Sequence, residues 1–146
     1  MEELLKGRYL GLDLGKKKVG IAISDETGII ARALKTVPKA SLVKELNSLK
    51  QTYPTLLGLV VGLPKSKSGK AEKETKAFAQ KLQKLCGLAV YFQDERLTSW
   101  DAREILKEQG HKPERIAELE DQMAASLILQ SFLDGSFKTV NKPELT

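Results

Sequence analysis

Asp13 stands near the end of an apolar run, "RYLGLDL", and Lys16, Lys17 and Lys18 follow it in the turn "GKKK". A carboxylate inside a strand is costly to bury unless it is hydrogen-bonded, paired with a charge or bound to a metal. Hydrogen bonds from the turn would satisfy Asp13, and so would a cation. Asp94, Glu95 and Arg96 cluster where a later apolar run ends, and Asp121 heads the most apolar stretch of the chain, "DQMAASLILQSFLD". Acids from distant segments with lysines beside them suit phosphodiester chemistry. Mg²⁺ takes oxygen ligands, and two ions about 4 Å apart activate water and stabilise a leaving oxygen. Each acid also has a plainer reading: a solvated acid beside an arginine for Glu95, and a helix N-cap for Asp121. Spacing alone does not bring residues 13, 95 and 121 together.

Other chemistry is poorly supported. "GLPKSKSGK" looks like a phosphate-binding loop, but six residues separate Gly62 from Gly69, and Ala71 follows Lys70 where Ser or Thr would hold magnesium. It reads as an exposed loop after a buried strand, with Lys65, Lys67 and Lys70 available to a phosphate backbone. Cys86 and His111 are each alone, so neither a disulfide framework nor a cysteine- or histidine-rich metal site is built.

The elements that must position these groups follow from periodicity. "RYLGLDL", "VGIAIS" and "IARALKTV" are joined by short turns and predict an antiparallel meander. Leu42, Val43, Leu46 and Leu49 then recur at helical spacing, and "YP" closes that helix. "LLGLVVGL" predicts a strand covered on both faces. A second helix carries Ala71, Phe78, Ala79, Leu82 and Leu85 on one side, and "GLAVYF" is the fifth strand. Thr98 and Asp101 suggest a capping box for the third helix. A polar loop containing Pro113 leads to a buried helix from Asp121, and residues after Gly135 read as a loose tail. The expected fold is α/β: a mixed five-stranded sheet, three strands in a meander and two reached by helical crossovers, with helices on both faces.

The chain has 146 residues and a formal charge of +5, with few aromatics. One domain spanning residues 1–146 is expected, with its core at about 8–135, large enough to bury roughly two-thirds of its unfolded surface. The N-terminal "MEELLKGRYL" places acids where a signal peptide needs bases, and no apolar run is of membrane length. A cytoplasmic protein with a polyanionic partner and no membrane association is expected.

"GLDLGKKKVGIAISD", "VVGLP", "DERLTS" and "DQMAASLILQSFLD" together resemble the YqgF family of pre-16S rRNA nucleases, whose fold is RNase H-like. The likeness runs from about Tyr9 to Asp134, with the motifs in order. It implies that Asp13 on the first strand and Asp121 on the last long helix converge on Mg²⁺ or Mn²⁺. Glu95 of the "DER" motif is the choice for the third catalytic ligand, with Asp94 as the alternative. Lys16, Lys17, Lys18, Arg96, Lys65 and Lys67 would bind substrate. The implied activity is metal-dependent hydrolysis at the 5′ end of pre-16S rRNA, free or within a pre-ribosomal particle. The chain departs from the family where Lys18 replaces a frequent arginine and Ser66 a frequent asparagine. Glu114, Glu118 and Glu120 also dilute a loop that is often basic. Two alternatives stay open: a resolvase of branched DNA, similar to RuvC-type enzymes, and a non-catalytic nucleic-acid-binding factor. The sequence leaves monomer and dimer both open.

Overall fold

The computed structural model describes residues 7–95 and 98–135, apart from the side chains of residues 98 and 99. Three strands, β1 (Arg8–Leu14), β2 (Lys18–Ser24) and β3 (Ala31–Pro38), form the expected meander. A 3₁₀ turn at Lys39–Ser41 leads to α1 (Leu42–Thr52), which is followed by β4 (Leu56–Leu63), α2 (Lys70–Cys86) and β5 (Ala89–Asp94). Two further helices, α3 (Thr98–Glu108) and α4 (Pro113–Gly135), complete the order. The sheet runs β3-β2-β1-β4-β5; β1, β4 and β5 are mutually parallel, and β2 is antiparallel to both its neighbours.

Period-two alternation divides the sheet between two cores. Leu10, Leu12, Ile21, Ile23, Leu59 and Val61 face Leu42, Leu46 and Leu49 of α1 and Ala79, Leu82 and Cys86 of α2. On the other face Tyr9, Ala22 and Val60 pack against Ala125, Ile128, Leu129 and Phe132 of α4. α3 packs against α4. Asp13 is two residues beyond Gly11 on the same strand, so it shares the α4 face.

Some boundaries and one helix face differ from the sequence expectation. β5 starts at Ala89 because Gly87, at φ 72°, closes α2 by donating its N–H to the Gln83 carbonyl at 2.8 Å. The buried side of α2 runs through Ala79, Leu82 and Cys86, which leaves Leu85 62% exposed. Most consequential, Pro113 opens α4 instead of lying in a loop before it. Proline at a first helical position loses no hydrogen bond. Asp121 therefore stands about two turns inside α4 and is not an N-cap. Thr98 of the expected capping box and the tail after Gly135 lie outside the described side chains and residues.

Candidate active site

Because β1, β4 and β5 are parallel, their C-terminal ends meet at one edge of the sheet, and antiparallel β2 begins there. Asp13 pairs in register with Gly20 of β2. A side chain at Gly20 would collide with the Asp121 carbonyl oxygen and stand 2.7 Å from the Gln122 nitrogen. One at Gly11 would lie 2.7 Å from the Ala125 carbonyl oxygen. The missing side chains let the backbone of α4 rest on β1 and β2 and deliver Asp121 beside Asp13. Glu95 is placed by a third glycine. Its N–H donates to the Leu63 carbonyl at 3.3 Å, and its Oε2 occupies space only 2.7 Å from where a Gly62 side chain would begin.

The acids interact strongly. Asp13 and Glu95 share a hydrogen bond. Burial pushes the Asp13 carboxyl up to about 7, and the charges of Glu95, Asp121 and Glu120 add to the shift. Burial likewise holds Glu95 above the usual carboxylate range and Asp94 adds repulsion, while the hydrogen bond with Asp13 opposes both. Lys18 Nζ lies 3.6 Å from Asp121 Oδ2. With 60% of the lysine side chain exposed, that pair is weak and its ammonium is available to an incoming anion. Among the described residues no three acidic, histidine or cysteine side chains form a ready metal cage.

The other expected residues separate into groups. Lys16 and Lys17 are exposed in the β1–β2 turn, which Gly15 N–H closes onto the Lys18 carbonyl at 2.9 Å. Lys65 and Lys67 are exposed on the loop that leaves β4 at the same sheet edge, and Lys65 pairs with Glu72 at 3.4 Å. In that loop the side chains of Ser66 and Ser68 accept hydrogen bonds from Gly69 N and Lys70 N and order the approach to α2, whose N-cap is Gly69. Arg96 lies outside the described residues. Cys86 is a buried free thiol in the α1–α2 core. The sequence signal for the close packing at this site is Gly11, Gly20 and Gly62, since a glycine inside a strand is the usual mark of a close approach.

A mixed sheet in this order, with carboxylates gathered at the ends of its parallel strands, defines an RNase H-like fold of the kind that serves nucleases. The chain belongs to the RuvX (YqgF) family, a family of nucleases that act on phosphodiester bonds; the family model, described as a Holliday junction resolvase, matches residues 7–135. A relative from Lactobacillus delbrueckii subsp. bulgaricus, named as a candidate pre-16S rRNA nuclease, is 41% identical over 137 residues, covering 87% of this chain and 96% of the relative. A relative of the same name from Moorella thermoacetica is 39% identical, covering 87% of this chain and 94% of its own. Among solved structures, RuvC of T. thermophilus in complex with a Holliday junction substrate superimposes with a TM-score of 0.58, covering 94% of this chain and 99% of that chain. At 14% identity, that likeness is one of fold.

Proposed function

We propose that the chain is a metal-dependent nuclease that hydrolyses RNA, maturing the 5′ end of pre-16S rRNA in the cytoplasm. The observation that carries the reading is the meeting of Asp13 with Glu95 and Asp121 at one sheet edge, where burial and then the charges of the other two acids push the Asp13 carboxyl up to about 7. The donor set fits Mg²⁺ or Mn²⁺: all three side chains are hard oxygen donors, and an added cation would relieve their repulsion. Asp13, Glu95 and Asp121 would hold it. When bound, such an ion supplies Lewis-acid polarisation of the phosphate and a water of lowered pKa. The chain's own cations orient the polyanion: Lys16, Lys17 and Lys18 lie beside the acids, and Lys65 and Lys67 lie farther along the loop after β4. RNA is favoured as substrate by the names of the 39–41% identical relatives. Among the described residues no helix is long and apolar enough to cross a membrane.

A second reading keeps the chemistry and changes the substrate to branched DNA. It is supported by the description of the family model and by the fold likeness to RuvC. Cutting two strands symmetrically would require two copies of the chain. Both readings are tested by offering RNA with the 16S 5′ junction and four-way junction DNA to wild type and Asp13→Asn, with Mg²⁺ or Mn²⁺. RNA cleavage slowed by more than about 100-fold in the variant is expected. Full cleavage by Asp13→Asn would remove that residue from the machinery, and cleavage of the junction alone would favour the DNA reading.

A further inference from the structure

Beside the acids lies a cavity of about 220 Å³, bounded by the β1–β2 turn, the loop after β4 and the first turns of α2. Glu95 is one of its walls, so whatever fills it sits next to the carboxylates. Hydrolysis as described above makes no use of it. Its volume is below the roughly 300–1,000 Å³ of sites for drug-sized molecules, so it suits one planar ring better than a longer ligand. Leu14, Pro64 and Phe78 give it apolar walls.

The polar groups determine which ring fits. Lys39 Nζ lies 4.4 Å from the centroid of the Phe78 ring, a cation–π contact that holds the ammonium at the wall. The Lys39 backbone N–H donates to the Lys17 carbonyl at 2.8 Å, tying this wall to the lysine turn that faces the phosphate chain. Glu74 and Glu95 can accept from base amino and imino groups, and Lys16 and Lys39 on the same lining can donate to base carbonyl and ring-nitrogen acceptors. Thr75 adds a hydroxyl that can donate or accept. A small cavity with an aromatic wall and both donors and acceptors on its lining matches the flat, polar-edged shape of a base.

We propose that this cavity receives an unpaired nucleobase next to the scissile phosphate, so that the enzyme acts where a strand is single or its bases are splayed apart. This rests on the nuclease reading and adds a base-holding subsite to it. An RNA single strand and an unstacked base at a DNA branch offer the same chemistry.

The test uses the full chain in EDTA, so that binding is read without cleavage. Single-stranded RNA spanning the 16S 5′ junction is scanned with abasic nucleotides, which keep the phosphate and remove the base. Four-way junction DNA is scanned in the same way at its branch, and a blunt RNA hairpin serves as the fully paired control. The expected result is one position where the abasic nucleotide weakens binding by roughly 5–100-fold, and whether it falls in RNA or DNA identifies the source. Thr75→Trp and Ala71→Phe, which fill the cavity, should bind the intact strand as weakly as wild type binds the abasic one. Binding of the hairpin should be unchanged. Uniform abasic effects, or filled variants that bind like wild type, would overturn the proposal. The wild-type scan stands even where a variant fails to melt cooperatively. Cleavage with Mg²⁺ but no abasic position effect removes the subsite alone; failure to bind or cleave any of these nucleic acids removes the nuclease reading with it.

Discussion

Asp13 ties stability to the site. Its carboxyl titrates near 7 in the folded protein, against 3.8 for an unperturbed aspartate. A raised folded-state value means that the folded state prefers the proton. The associated stability is complete below about 3.8 and is lost as pH rises through about 7. Glu95 shifts in the same direction. The metal-free protein should therefore melt roughly 5 °C lower at pH 8.5 than at pH 5.5. Asp13→Asn, which carries no charge at either pH, should remove most of that difference. Mg²⁺ should raise the melting temperature of wild type more at pH 8.5 than at pH 5.5, and of Asp13→Asn little at either. Calorimetric scans at the two pH values, with and without metal, check all of this. An unchanged pH dependence in the variant would place the strain elsewhere.

At the scale of elements, the site depends on how closely α4 lies on the sheet. Gly20 and Gly11 permit that approach, and their replacement meets main-chain atoms of α4 that no rotamer change can move. Gly20→Ala should cost about 1–3 kcal/mol or more by overpacking, and by lifting Asp121 away from Asp13 it should also reduce cleavage. Gly69→Ala is the contrast. It meets nothing within 4 Å, but φ there is +73°, so only the strain of a left-handed residue applies, about 1 kcal/mol. Urea unfolding with a parallel cleavage assay separates the two: stability and activity should fall together for Gly20→Ala, and stability alone for Gly69→Ala. Equal losses for both would contradict the role given to the α4 contact.

For the whole molecule, the charge of +5 favours a polyanion, and the lysine turn concentrates that preference beside the acids. Replacing Lys16, Lys17 and Lys18 together by alanine should weaken binding of single-stranded RNA and flatten its log–log dependence on salt by about 2. A slope equal to that of wild type would show that the phosphates lie on other cations, with Lys65 and Lys67 as the first to test.

The sequence by itself carried the order of strands and helices, because apolar periodicity and turn residues act locally. β1 and β4 match their expected spans residue for residue. It also carried Asp13, whose oddity is visible within seven residues of strand, and the family likeness that pairs it with Asp121. What it misplaced were boundaries where one residue serves either of two elements: Gly87 as the cap of α2, and Pro113 as the first residue of α4. Only the tertiary structure brought residues 13, 95 and 121 together, and the reason is steric. Asp121 reaches Asp13 because two glycines on neighbouring strands let a helix more than 90 residues later in the chain settle on them. Glu95 meets Asp13 because it turns back over Gly62 just past the last paired position of β5. Such contacts depend on the shape of surfaces far apart in the chain, and no local pattern encodes them.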